Sequence, residues 1–468
     1  MKNLSRLGFL SFTLCFLCSG FPAKAQKPAT VTKKQATTAV AAQTGRAPVI
    51  IIPGLTGSEL VNARTGEEVW FRARRAKDDD IRLPISPVLS RNRDDLVPRD
   101  IIRSVKFFSF LPETEIYERL ITALEKRGYR EAKWNTATRN DAQDTFFVFP
   151  YDWRRDNVEA ARQLTRQVET LKRRIGKPAL KFNVIAHSMG GLVARYAAMY
   201  GNADLPAGTP RPTWAGARHF DKIFLLGTPN EGSILSINGL LNGFSYVGGG
   251  LNLPFIQNIT RFDLFTIPSV YQLLPHDGSL LAYGEDLKPF QIDIYDPATW
   301  EKYDWAVWKD DAFTKRMSPL EQRNARPYFT AALARAKRFQ AALNANTNEK
   351  VPVSFYLIGA DCMDTPNALL LVRNEKKNRW ETHFKAESFT NAKGEKIAAE
   401  QLKPLLFTKG DSVVPKRSLG LETLVSAGKK AVLPVVSELF QCEGHSKLVT
   451  NPLIQDKLFT LLQNGKLN

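Results

Sequence analysis

The stretch Asn183-Val-Ile-Ala-His-Ser-Met-Gly-Gly-Leu-Val-Ala-Arg-Tyr196 constrains this chain more than any other. A strand-like run over Phe182 to Ile185 stops at a small-x-Ser-x-Gly turn, and a helix-forming run over Leu192 to Met199 follows. So abrupt a reversal forces the serine at its tip, Ser188, into a strained backbone and excludes side chains that would strike the strand or helix behind it. Ala186, Gly190 and Gly191 meet that demand. The pattern predicts a nucleophile elbow with Ser188 at its tip.

The rest of the chain supplies a frame for such an elbow. Val49 to Ile52 reads as a buried strand that runs into the glycine-broken loop Pro53-Gly-Leu-Thr-Gly-Ser-Glu-Leu60. Tyr117 to Arg127 has a helical stripe of Leu120, Ile121 and Leu124, and the strand Thr145 to Pro150 ends in Tyr151-Asp-Trp-Arg154, where Asp152 and Arg154 suit a framework ion pair. Asn157 to Ile175 is an amphipathic helix closed by Gly176 and Pro178. Strands follow at Lys222 to Leu226, Val353 to Gly359 and Ala431 to Val436, with helices at Pro327 to Leu343 and after Pro452. This alternation predicts an α/β fold, a doubly wound and mainly parallel sheet whose ligands bind beyond the carboxyl ends of the strands.

Two segments of the domain, 47–468, break the rhythm. Residues 61–113 mix charge runs with Pro84, Pro87 and Pro98 and are expected to form a surface insertion with little regular structure. From 234 to about 330 the chain is first apolar and glycine-rich, then aromatic (Tyr295, Trp300, Tyr303, Trp305, Trp308), which suits a cap over the site or, more plainly, a structural insertion. A polar hairpin-like segment spans Asn374 to Lys396.

Lys2 and Arg6, the apolar run Leu7 to Cys18 and Ala23-Lys24-Ala25 have the three parts of a secretory signal, with cleavage expected after Ala25 and a flexible leader over 26–46. The expectation is an exported protein, periplasmic or secreted, soluble once the signal is removed. Loss of Lys2, Arg6 and Lys24 takes the formal charge from +18 to +15. In an exported chain this favours a lipid headgroup or an envelope polymer as anionic partner; no nucleic-acid motif accompanies the charge. The basic runs Arg72 to Lys77, Lys172 to Lys177 and Arg373 to Arg379 read as solvated faces. Cys362 and Cys442 can form one disulfide or remain two buried thiols. Neither has a partner at metal-ligand spacing, and no cofactor or metal is expected.

Five stretches stand in order: Pro53-Gly-Leu-Thr-Gly-Ser58, Tyr151-Asp-Trp-Arg154, Ala186-His-Ser-Met-Gly190, Gly410-Asp-Ser-Val-Val-Pro415 and Gly444-His-Ser-Lys-Leu-Val449. Together they resemble the lecithin:cholesterol acyltransferase family, over most of residues 48–465. The family pattern has Gly where this chain has Ala186, and a Gly-Asp-Gly-Thr-Val-Pro loop where this chain has Ser412 and Val413. The resemblance implies an α/β-hydrolase fold with an inserted cap, Ser188 as nucleophile, Asp411 as acid, His445 as base, and the backbone amides of Leu55 and Met189 as oxyanion hole.

The chemistry asks for the same set. A serine hydroxyl needs an imidazole to accept its proton, and the imidazole needs a carboxylate to fix its tautomer. Of five histidines, His445 alone follows the last strand, whereas His187 is expected to point off the elbow. Position alone leaves Asp361 and Asp364, just past the strand ending at Gly359, as rivals to Asp411; the resemblance favours Asp411. The expected activity is acyl transfer from a lipid or phospholipid ester through an acyl-serine, to water or to an alcohol. Alternatives are an esterase acting on a polyester or acylated envelope polymer, and an inactive lipid-binding protein.

Overall fold

Apolar runs without polar alternation need cover on both faces, and here they form the centre of a seven-stranded parallel sheet. The structure, a computed structural model, describes residues 45–72, 81–105, 114–244, 258–276, 280–346, 351–422 and 433–466. The expected signal and nearly all of the leader lie outside these residues, as do most of the Arg72 to Lys77 run and the glycine-rich Gly248 to Gly250.

The sheet strands are β1 (Val49–Ile52), β2 (Arg130–Glu131), β3 (Thr145–Val148), β4 (Phe182–His187), β5 (Phe220–Leu226), β6 (Ser354–Gly359) and β7 (Val435–Phe440). They lie in the order β7-β6-β5-β4-β1-β3-β2. Side chains alternate between the faces. Ile50, Ile52, Val184, Ile223 and Leu357 join one core, and Val49, Ile51, Ile185, Phe224 and Ile358 join the other.

The first face is covered by α2 (Asn157–Ile175), α3 (Met189–Tyr200) and α4 (Pro319–Leu343), the second by α1 (Glu118–Lys126) and α5 (Pro452–Asn464). Helix α2 has the bounds its sequence signals dictate: the Asp156 carboxylate accepts from Val158 N–H at the start, and Gly176 takes the left-handed conformation, φ 73°, at the end. The register places Ile52 beside Ala186, Leu226 beside both His187 and Ile358, and Gly359 beside Phe440. The loops leaving β1, β4, β5, β6 and β7 therefore emerge at one edge.

Several boundaries differ from expectation. Residues 61–113 contain more regular structure than their prolines suggest, because Glu68–Trp70 and Leu96–Ile101 pair with Ser58–Asn62 in an antiparallel sheet that buries Trp70. Helix α4 begins at Pro319 rather than Pro327: Ser318 and Glu321 form a capping box, Pro319 sits at the first position, and Pro327 is carried inside the helix. The last strand is Val435–Phe440, later than Ala431 to Val436. The hairpin starts earlier, with Ala368–Asn374 pairing Arg379–His383.

The aromatic side chains of the 234–330 region join the core on the α4 face of the sheet. Trp300 and Trp308 lie 5.0 and 4.8 Å, ring centre to ring centre, from Phe329 of α4, and Phe265 stacks on the same ring at 5.9 Å. Trp300, Tyr303 and Trp305 are buried. Among the described residues no helix is long and apolar enough to cross a membrane.

Arg154 is 0% exposed and holds two carboxylates, Asp94 at 2.6 and 2.8 Å and Asp152 at 2.9 and 2.8 Å. Loss of the guanidinium would leave the partly exposed Asp94 and Asp152 carboxylates without their shared cation. Arg154→Met should lower the unfolding free energy by about 1–3 kcal/mol, whereas Arg64→Ala, which opens an exposed pair with Asp95, should change it by less than about 1 kcal/mol; urea unfolding of both variants measures this.

Candidate active site

Ser188 follows the last residue of β4 and precedes the first of α3, with φ 54° and ψ −126°. This is the conformation the elbow demands, and it holds because the surroundings leave no alternative. Ser188 N–H donates to Leu226 O at 2.8 Å, tying the turn to β5. A Cβ at Gly190 would lie 2.4 Å from Pro53 O, so only glycine lets α3 approach the end of β1 this closely.

His445 lies in the loop after β7, with its ring against the end of β5: a Cβ at Gly227 (φ 60°) would come 3.0 Å from His445 Cε1. Ser188 Oγ donates to His445 Nε2 at 2.9 Å, and His445 Nδ1 donates to Asp411 Oδ2 at 2.7 Å. Asp411 is wholly buried. Burial would raise its pKa, but the His445 partner and the amides of Val414 and Val413, at 2.7 and 3.0 Å from Oδ1, outweigh it and hold the carboxyl below its ordinary value.

The rival carboxylates go elsewhere. Asp361 pairs with Lys416 at 3.4 Å, and Asp364 with Lys403 and Lys409 at 2.8 and 2.9 Å. The loops carrying Asp411 and His445 are joined twice. His445 N–H donates to Asp411 O at 2.9 Å, and Cys362 and Cys442 form a disulfide, Cα to Cα 5.4 Å. Cys362 directly precedes Met363–Pro366, which pairs antiparallel with Phe407–Gly410, the strand leading to Asp411.

The loop after β1 is held by aromatic side chains with polar tips. Tyr151 Oη donates to Pro53 O at 3.0 Å, Trp153 Nε1 to Ser58 O at 3.2 Å, and Trp70 Nε1 to Thr56 O at 2.9 Å. Leu55 and Met189 flank Ser188 from this loop and from the start of α3, and among the described residues their N–H groups donate to no acceptor. Among the described residues no cluster of His, Cys, Asp and Glu is placed to hold a metal ion. A cavity of about 580 Å³ between residues 303–310 and the 368–383 hairpin is lined by Tyr303, Trp305 and Trp380, not by Ser188, Asp411 or His445.

Sequence reasoning missed two residues. His187 does not simply point off the elbow: its Nδ1 meets Tyr117 Oη at 2.9 Å, and its Nε2 meets the carbonyl oxygen of His445 at 3.1 Å. Tyr117 Oη also accepts from Gly54 N–H at 2.9 Å. Tyr117 lies on α1's leading edge, 70 residues from His187, so no local signal joins them.

Burial, and next the neighbouring His445, press the His187 pKa from 6.5 down to about 3. Folded His187 thus stays neutral between these values while the unfolded chain takes up a proton, so this contribution is complete above pH 6.5 and is lost as pH falls towards 3. The loss should accumulate at about 1.4 kcal/mol per pH unit well below the upper value. Urea unfolding at about pH 7 and about pH 4.5 should show it, and His187→Gln should flatten the slope by that share.

The lecithin:cholesterol acyltransferase family model matches residues 95–333, which include β4, Ser188 and α3. Lecithin-cholesterol acyltransferase-like 4 of Arabidopsis thaliana is 26% identical over 253 residues, a match that spans 48% of this chain and 42% of that protein. A chain in the crystal structure of the Tle4–Tli4 complex superposes with a TM-score of 0.53 at 14% identity, covering 91% of this chain and all of that one, a likeness of fold. The parallel sheet, its helical layers and the strand-to-helix elbow are those of an α/β hydrolase, and with a family match across half its length this chain belongs to the lecithin:cholesterol acyltransferase family.

Proposed function

We propose that this protein is a serine-dependent enzyme of lipid-ester acyl transfer, with Ser188 as nucleophile, His445 as general base and Asp411 as the carboxylate that orients it. The single observation that carries this is the continuous hydrogen-bonded line from Ser188 Oγ through His445 to Asp411, at 2.9 and 2.7 Å, on an elbow of a chain in this family. Ser188 Oγ attacks the ester carbonyl carbon while His445 Nε2 takes its proton. The oxyanion forms against the Leu55 and Met189 amides, whose lack of other acceptors supports that role. The C–O bond to the leaving alcohol then breaks as His445 returns the proton, leaving an acyl-serine. Water or an alcohol, deprotonated by the same imidazole, attacks the acyl carbon and releases Ser188.

Family membership supports a lipid ester as substrate, and the 234–330 region, whose first helix is capped by the Ser233 that also binds the acid loop, suits a cover for an acyl chain. The Cys362–Cys442 disulfide supports an exported protein, since such bonds persist in oxidising compartments. The balance of +15 on the mature chain supports work at an anionic membrane or envelope surface.

The test uses vesicles of phosphatidylcholine and phosphatidylglycerol containing a long-chain alcohol or a sterol, with free fatty acid and new ester both quantified. New ester from the wild type establishes transfer, free acid alone makes the protein a phospholipase, and either product from Ser188→Ala would refute the nucleophile. Asp411→Asn should lower kcat by roughly 10⁴-fold, as loss of the orienting carboxylate does in such triads, while Asp361→Asn should leave kcat within about threefold because its partner is Lys416.

A further inference from the structure

Two buried side chains outside the Ser188–His445–Asp411 line connect both sides of it. Tyr117 is 2% exposed and His187 8%. Each end of their contact reaches a different loop, Gly54 N–H beside Leu55 at one end and the carbonyl oxygen of His445 at the other. His187 is itself the residue before Ser188.

The hydrogens in this line have one arrangement that satisfies every group without a buried charge. Gly54 N–H can only donate, so Tyr117 Oη accepts from it and its own hydrogen is available for His187 Nδ1. His187 then carries its single ring hydrogen on Nε2, facing the His445 carbonyl, which can only accept. The opposite tautomer would set a lone pair against that carbonyl oxygen and leave the Tyr117 hydrogen without a target. A charged ring would donate at both ends, but burial and the nearby His445 keep His187 neutral.

Taking Ser188 and His445 as nucleophile and base, we propose that Tyr117 and His187 are positioning residues that lock the loop bearing Leu55 and the backbone of His445 into register with Ser188. Neither touches the reacting atoms. Tyr117 fixes where the amide after Gly54 points, and His187 fixes the height of the His445 ring by holding its backbone. One line of hydrogen bonds thus sets the oxyanion side and the base side of the serine together.

Two measurements test this. In wild-type protein labelled with [¹⁵N]histidine, long-range ¹H–¹⁵N correlation at neutral pH should show His187, assigned by its loss in His187→Gln, as the neutral ring with hydrogen on Nε2; hydrogen on Nδ1, or a charged ring, would overturn the proposal without the activity of any variant being read, the assignment requiring only that His187→Gln keep the remaining histidine signals in place. Tyr117→Phe, shown folded by its unfolding midpoint, should lower kcat on a soluble p-nitrophenyl ester by roughly 10- to 100-fold with KM changed less than about twofold, and should slow fluorophosphonate labelling of Ser188 alike. Combining it with His187→Gln should cost little more than the worse single change, because both cut one line. Wild-type kcat in folded Tyr117→Phe, with Ser188→Ala inactive, would overturn the positioning role alone; activity retained in Ser188→Ala would overturn the assignment beneath it as well.

Discussion

A serine held at φ 54° and ψ −126° is the constraint on which the rest of this structure depends. No residue with a side chain rests there unaided, and the cost of such a conformation, about 1–3 kcal/mol, must be met by the surroundings. Here they do so by closure: β4 is clamped between β1 and β5, α3 lies against the end of β1 where Gly190 permits it, and Ser188 N–H is tied to Leu226. The geometry that strains the backbone also presents the hydroxyl at the carboxyl edge of the sheet, where five loops converge. Strain and exposure of Ser188 are one consequence of a strand meeting a helix without a linker.

The loops that meet Ser188 are longer and would be free to move were they not cross-linked. Asp411 follows a strand paired with Met363–Pro366, the disulfide joins the start of that pair to the segment before His445, and a backbone hydrogen bond joins Asp411 to His445 directly. A hydrogen bond near 2.7 Å between imidazole and carboxylate orients a ring only if both backbones stay in place. The covalent and backbone ties supply that, and they explain why an acid so far along the chain from β6 reaches the base while Asp361, nearer to β6, does not.

What could be read from the chain follows the same division between local and distant forces. The central strands were legible because burial on both faces removes polar alternation, and α2 because its apolar face repeats at the helical period and Gly176 closes it. Pro327 misled because proline usually stops a helix, although Ser318, Pro319 and Glu321 carry a start signal that outranks it. The strands at 68–70 and 96–101 were hidden because short edge pairs are stabilised by partners such as buried Trp70 and not by their own pattern. Ser188 and His445 stood out by motif and by elimination, and Asp411 only through resemblance. The roles of Tyr117 and His187 could not be seen, since their contact exists only once α1 packs on the second face of the sheet.

Ser412 shows how a departure from a family pattern can be accommodated. The pattern has glycine there, and Ser412 takes φ 77°, the left-handed region that favours glycine. Its N–H donates to Thr365 Oγ1 at 2.9 Å, so the strained residue is bonded to the strand that pairs with its own loop. The next residue, Val413, gives its carbonyl to Ser233 Oγ at 2.6 Å, and Ser233 caps the helix Ile234–Asn242 that opens the long insertion. The acid loop is thereby fixed on one side to the disulfide-linked pair of strands and on the other to the base of the insertion. The acid loop is thus one place where the insertion and the chemistry are directly joined.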